Sequence, residues 1–392
     1  MTMIAPNPGR KGPYKGGARR QENNRIYGNP LPLRFVDTTP KPLRSVLGLL
    51  GLSLAKVDNP HCEGVFDVAS RSVWVSDRHH AMLLWRRGFF GKGHLSRSEP
   101  SWLARQINAR EAARKNQMTS EEVTAKRRAE RKQFKLDRAR AIAAVAAEAE
   151  AAFEREGRVT VPALSGPNIP SAATWKPSSP VRETTGEGEG PEQALLDEDQ
   201  LVDVEHLQLT LPEAFFLSWG LDCLTISSTN ATMNLSTIWT SFQRAHLRHN
   251  PDAPLQFDNP FIVHYVVYHH YRSLGWVVRG GIKFCVDYLL YKRGPVFTHA
   301  EFALVICPVY EDPADQETSC VNLQNSTPFS WTWLSTINRV NSQVMKTLVL
   351  VYVTIPARSR LPTHILDSPA CLAHYSVREV ILRRFLPARM RD

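Results

Sequence analysis

Trp276-Val277-Val278-Arg279-Gly280-Gly281-Ile282-Lys283-Phe284-Cys285-Val286-Asp287-Tyr288-Leu289-Leu290-Tyr291 is the stretch whose reading decides the fold. Trp276 to Val278 is expected as a short strand, Gly280-Gly281 as a tight hairpin turn, and Lys283 to Tyr291 as a second strand. One face of that second strand would carry Phe284, Val286, Tyr288 and Leu290, and the other Cys285, Asp287, Leu289 and Tyr291, because side chains alternate along a strand. Upstream, Asp258-Asn259-Pro260 starts a helix bearing Phe261, Tyr265, Tyr268 and Leu274, and Gly275 ends it. Downstream, Glu301 to Val309 reads as a strand and Tyr310 to Phe329 as a loop. Ser330 to Val344 reads as a helix with Trp333, Ile337 and Val340 on one side. Met345 to Ile355 is expected as a long buried strand and Glu379 to Leu382 as a last one. Together these make a compact C-terminal α/β domain over residues 257–392.

Working outward, the fold class expected is α/β, of the α+β kind, with a second, N-terminal mixed domain in two pieces. Its first piece is 29–106. There Val65 to Val75 alternates like a strand, Ser76-Asp77 caps a helix through Ala81-Met82-Leu83-Leu84-Trp85, and Gly88, Gly91 and Gly93 break that helix. The second piece is 198–256, with Pro212 and Glu213 opening one helix and Leu235 to Leu247 forming another. Neither half looks able to close its own core, so these helices should pack on the first piece. Between the pieces, 107–197 reads as a charged helix followed by a disordered linker rich in Pro, Ser, Gly and Glu. Residues 1–28 read as a disordered basic tail. The insertion is open to three uses: RNA binding, partner docking or a solvated spacer.

The chain has 392 residues, a formal net charge of +10 and 43% hydrophobic residues. A basic surplus of this size suits a polyanion such as nucleic acid, and equally a plain solvated basic surface. Its six cysteines form no CxxC pair and no zinc spacing. Those within apolar runs, such as Cys285 and Cys307, are expected to be buried thiols. Met1 to Arg10 lacks the apolar core of a secretory signal, and the longest apolar run, Leu348 to Ile355, is strand-length, so no membrane span is expected.

Tyr291 ends a strand, His299 opens the next, and Lys346 lies where a helix hands over to a strand. Metal-free RNA cleavage needs such groups: one to take the proton of a ribose 2′-OH, one to protonate the departing 5′-oxygen, and a fixed cation for the phosphate. A tyrosine titrating near 10 serves as base only if neighbouring cations lower that value. Each residue also has a plain structural reading: a core cap, a surface histidine, an ordinary lysine. Gly88-Phe89-Phe90-Gly91-Lys92-Gly93 lacks the spacing of a nucleotide-binding loop. The adjacent pairs His79-His80 and His269-His270 should diverge on any regular element, so no metal and no cofactor is expected.

Tyr288-Leu289-Leu290-Tyr291-Lys292-Arg293-Gly294-Pro295, then Thr298-His299-Ala300-Glu301, the preceding Tyr271-Arg272-Ser273-Leu274-Gly275-Trp276-Val277-Val278-Arg279, and Lys346 at the head of an apolar strand resemble the signature of the tRNA-splicing endonuclease family. Gly88 to Ser98 and Leu211 to Leu217 resemble its larger catalytic subunit, the one assigned to the 5′ splice site. The resemblance implies a metal-independent tRNA-intron endonuclease that cuts precursor tRNA and leaves a 2′,3′-cyclic phosphate and a 5′-hydroxyl. Tyr291 would be general base, His299 general acid and Lys346 the transition-state cation. Arg339 and Phe385 would bind RNA, clamping a bulged intron base in the partner's active site. Phe385 can equally be core packing. The partners implied are precursor tRNA, a homologous structural subunit as direct dimer partner, and a second catalytic and structural pair in a heterotetramer. The compartment implied is the nucleus or the cytosolic face of the mitochondrial outer membrane. A non-catalytic structural subunit of the same complex and a basic RNA-binding scaffold are the rival readings.

Overall fold

A computed structural model describes residues 18–36, 56–96, 98–116, 120–156, 202–228, 231–247, 253–327 and 329–383. They fall into two compact units. One is built from the chain before Trp102 and after Asp203, and the other is the segment Trp102–Asp203. In that segment the charged stretch forms the helices Trp102–Asn116 and Ser120–Glu156. The expected linker lies outside the described residues from 157 to 197, as does the basic tail up to residue 17; Ala18–Tyr27, expected as part of that disordered tail, form a helix instead. Among the described residues no helix is long and apolar enough to cross a membrane.

The larger unit is an α+β structure, as the sequence suggested. β1 (Arg34–Val36) and β2 (Lys56–Asp58) form an antiparallel pair. β3 (Cys62–Asp67), β4 (Ser72–Val75), β5 (Lys92–Gly93), β6 (Leu207–Thr210), β7 (Leu224–Ser228) and β8 (Ala231–Thr232) form a six-stranded sheet in the order β5-β6-β4-β3-β7-β8. Val65 to Val75 is therefore not one strand. Arg71, left-handed at φ 50°, turns the chain between β3 and β4. The helix Arg78–Arg86 starts where expected, because the Asp77 carboxylate accepts from His80 N at 2.7 Å.

The second sheet has the order β13-β12-β11-β10-β9, formed by β9 (Val277–Gly280), β10 (Tyr288–Tyr291), β11 (Phe302–Tyr310), β12 (Thr347–Ile355) and β13 (Ser376–Leu382). β11 and β12 run parallel, and the other neighbours are antiparallel. The sheet is covered on both faces, which explains its near-continuous apolar strands. Leu304, Ile306, Val349, Val351 and Val353 join the core around the helix Pro260–Ser273, while Ala303, Val305, Cys307, Leu348 and Leu350 pack with Ile337 of the helix Trp331–Gln343. The first core also takes in Val73, Leu207 and Leu209 of the six-stranded sheet, so one apolar cluster spans both sheets. Phe215 sits inside it, 4.9 Å from the rings of both Trp239 and Tyr265.

β9 and β10 form the expected antiparallel hairpin, but not through a tight turn at Gly280-Gly281. Gly281 N bonds Asp287 O, and Ile282–Phe284 form a 3-10 turn that ends at Cys285, left-handed at φ 56°. The strand begins only at Tyr288. Phe284 and Val286 therefore pack on the Ile337 side, not on the Tyr288 and Leu290 face. Cys285 is exposed rather than buried, whereas Cys62, Cys223, Cys307 and Cys371 are buried free thiols. On the helix Trp331–Gln343 the inward stripe is Trp333, Ile337 and Asn341, and Val340 is exposed. The stretch from Tyr310 to Phe329 holds one helical turn, Pro313–Glu317, capped by Asp312.

Candidate active site

Backbone register brings the strand-end residues into one row. Tyr291 is the last residue of β10. One step past the Leu290–Phe302 pair, Glu301 N donates to Leu290 O at 2.9 Å, and Thr347 N donates to Glu301 O at 3.0 Å. Tyr291, the Glu301 position and Lys346 thus occupy one end of three neighbouring strands. His299 lies two residues before Glu301 and is exposed. It ends a turn built on Gly294, which is left-handed at φ 122° and whose carbonyl accepts from Phe297 N at 3.1 Å and Thr298 N at 3.4 Å.

Lys346 is placed by the way its helix ends. Lys346 N donates to Asn341 O at 3.0 Å, and Met345, left-handed at φ 57°, swings the chain into β12. The Lys346 ammonium sits 4.6 Å from the centre of the Phe284 ring and 3.5 Å from Val344 O. Lys346 is only 8% exposed, and burial lowers its pKa. A cation held by a π-face and a carbonyl keeps its field for an incoming anion, such as a phosphate.

Tyr291 is half-buried between two apolar clusters, one with Leu289 and Leu348, the other with Trp85, Phe89 and Val277. Burial raises its phenol pKa, and Arg279 pulls it back part of the way. Arg279 is itself fixed. Its Nη1 donates to Phe89 O at 2.6 Å and Gly91 O at 2.5 Å, lies 3.6 Å from Glu213, and its guanidinium stacks 4.8 Å from the Trp85 ring centre. Arg272 holds Gly88 O at 2.7 Å. The glycine-rich stretch is therefore no phosphate cradle: its carbonyls are taken by two arginines and Gly91 N by the Glu213 carboxylate at 3.2 Å. Sequence reading missed this arginine support. Its signal was two arginines, Arg272 and Arg279, flanking a short apolar strand with no solvent-facing pattern of their own.

Arg339 is exposed on the helix Trp331–Gln343. Its helix ends at Gln343, and the left-handed Met345 turns the chain before Lys346. Phe385 lies outside the described residues. The adjacent histidines do not fully diverge either: Asp77, His79 and His80 each bring a ligand atom within 4.8 Å of the others. That carboxylate already caps the helix.

The family described as tRNA intron endonuclease, catalytic C-terminal domain, matches residues 261–358, the span that carries Tyr291, His299 and Lys346. The chain is an RNA-cleaving endonuclease by that domain. Over 352 residues it is 34% identical to the probable tRNA-splicing endonuclease subunit sen2 of Schizosaccharomyces pombe, covering 82% of this chain and 85% of the relative. It is 30% identical over 403 residues to subunit SEN2 of Saccharomyces cerevisiae, covering 94% and 98%. The Rattus norvegicus subunit Sen2 matches at 33% over 215 residues, 53% of this chain and 41% of the relative. The chain belongs to the Sen2 family of tRNA-splicing endonuclease subunits.

Proposed function

We propose that this chain cuts precursor tRNA at the 5′ splice site, with Tyr291 as general base, His299 as general acid and Lys346 as the fixed cation. The observation that supports it is the shared row at one sheet end, which carries Tyr291 and Lys346 with His299 three residues before the strand between them. Tyr291 takes the proton of the ribose 2′-OH. The 2′-oxygen bonds to phosphorus, the bond from phosphorus to the 5′-oxygen breaks, and His299 protonates that oxygen. The products are a 2′,3′-cyclic phosphate and a 5′-hydroxyl. Lys346 neutralises the charge on the non-bridging oxygens, and its burial strengthens that effect. The base role asks for more positive charge at the phenol than Arg279 supplies, and Lys346 in the same row is the source we assign.

The same reading requires other subunits. Among the described residues β13 is an edge strand, and its Val380 and Ile381 are 42% and 39% exposed. An apolar open edge suits pairing with a strand of a homologous structural subunit, and two such pairs make the heterotetramer. The test is cleavage of precursor tRNA by the assembled complex. His299→Ala should abolish the 5′ cut, and wild-type cutting should survive EDTA and leave a cyclic phosphate. A 5′ cut that persists in His299→Ala, or that EDTA abolishes and a divalent ion restores, refutes the reading. So does a monomer that cuts alone.

A further inference from the structure

Phe89 lies under the segment that joins Tyr291 to His299. Its backbone is left-handed at φ 58°, a conformation a bulky aromatic keeps only where its surroundings over-determine it. The surroundings do so. Phe89 N donates to Trp85 O at 3.0 Å, Arg279 holds the carbonyls of Phe89 and Gly91, and Arg272 holds that of Gly88. The ring is 1% exposed, stacked on Tyr27 at 5.7 Å and edge-on to Trp85 at 5.6 Å. On its other side it meets Phe297 edge-on at 6.5 Å, and a Cβ added to Gly294 would overlap it. Tyr291, Val296 and Phe297 complete the same small apolar cluster. Gly294 O in turn anchors Phe297 N and Thr298 N, next to His299.

We propose that Phe89 is a positioning residue for the cleavage reaction: its ring is the floor on which the Tyr291–His299 segment rests. The N-terminal part of the chain then builds the active site as well as the core. The buried ring touches no substrate. It acts by fixing the turn at Gly294, and through it the distance between base and acid. Misplacing a reacting group by about 1 Å costs roughly a hundredfold in rate. The inference rests on the assignment of Tyr291 and His299 made above.

The experiment uses the assembled complex and precursor tRNA, with both cuts measured. The 3′ cut, made by the other catalytic subunit, reports assembly and folding. Phe89→Leu keeps an apolar side chain and removes the flat ring. It should lower kcat for the 5′ cut roughly 10- to 100-fold, with KM and the 3′ cut changed less than about twofold. His299→Ala is run in parallel. If it leaves the 5′ cut intact, the reading of the site fails, whatever Phe89→Leu does. If it abolishes the 5′ cut while an assembled Phe89→Leu complex cuts at the wild-type rate, or loses both cuts equally, Phe89 has no positioning role. Should Phe89→Leu fail to assemble, Phe297→Leu removes the facing ring from the loop's own side. It must show the same split between the two cuts, and an equal loss at both overturns the proposal.

Discussion

Arg279→Met removes a guanidinium from a place that has built itself around one. The side chains of Arg279 and Glu213 are 15% and 7% exposed and lie 3.6 Å apart. Burial pulls the guanidinium pKa down, and Glu213 pulls it back up. Methionine fills the apolar stem but strands the Glu213 carboxylate and leaves Phe89 O and Gly91 O without that donor. Removing one partner of a buried pair costs about 3–5 kcal/mol. Glu213 keeps its bonds from Thr210 N at 3.0 Å, Thr210 Oγ1 at 2.9 Å and Gly91 N at 3.2 Å, which favours the lower end. At about 3 kcal/mol, with 2–4 °C per kcal/mol for a large domain, Tm should fall by roughly 6–12 °C. Adding Glu213→Gln removes the stranded charge, so the double variant should melt above Arg279→Met alone. Thermal unfolding of the wild type, Arg279→Met, Glu213→Gln and the double variant by circular dichroism at neutral pH checks this. A drop under about 2 °C, or a double variant that melts lowest, refutes the reasoning.

Arg339→Ala should weaken the 3′ cut roughly tenfold or more and spare the 5′ cut, since one base-stacking contact is worth about 1–3 kcal/mol. Equal effects at both sites in a cleavage assay would remove Arg339 from the RNA-binding set. Replacing residues 115–195 by a short Gly/Ser linker should leave Tm within a few degrees and the 5′ cut intact. An unfolded product would show that the segment belongs to the core. Burial, aided by Arg71 and His264, lowers the His246 pKa from 6.5 to about 4. The unfolded chain therefore takes a proton there first. The stability this group contributes is complete above pH 6.5 and is lost as pH falls from 6.5 towards 4. His246→Gln should flatten the fall of Tm between pH 7 and 5, and an unchanged slope would count against it.

Much of the fold was legible because local chemistry and the final structure agree. Asp77, Asn259 and Ser330 cap the helices they announce, and the apolar runs of β11 and β12 are strands buried on both faces. The expectation failed between Lys283 and Asp287, where a period of two continued through residues that form a 3-10 turn. No pattern of hydrophobicity marks a left-handed backbone at a non-glycine residue such as Cys285. The site was legible in part: Tyr291 ends β10 and Lys346 directly precedes β12, whereas His299, expected to open a strand, lies in the loop three residues before β11. What surrounds them was not, because the Phe284 ring beside Lys346 and the Phe89 ring below Gly294 arrive from a turn and from a distant segment.

β5 and β6 meet in the ladder at Gly93 and Leu207, and His94 N bonds His206 O beside them. The two ends of everything between are thus stitched together within the sheet. Loop closure grows only with the logarithm of length, so doubling the intervening stretch costs only about 0.6 kcal/mol. Natural selection is therefore free to lengthen, shorten or exchange that cargo with almost no penalty in folding. The same seam is where a protein engineer would splice a fluorescent reporter or an affinity handle and expect the enzyme to keep working.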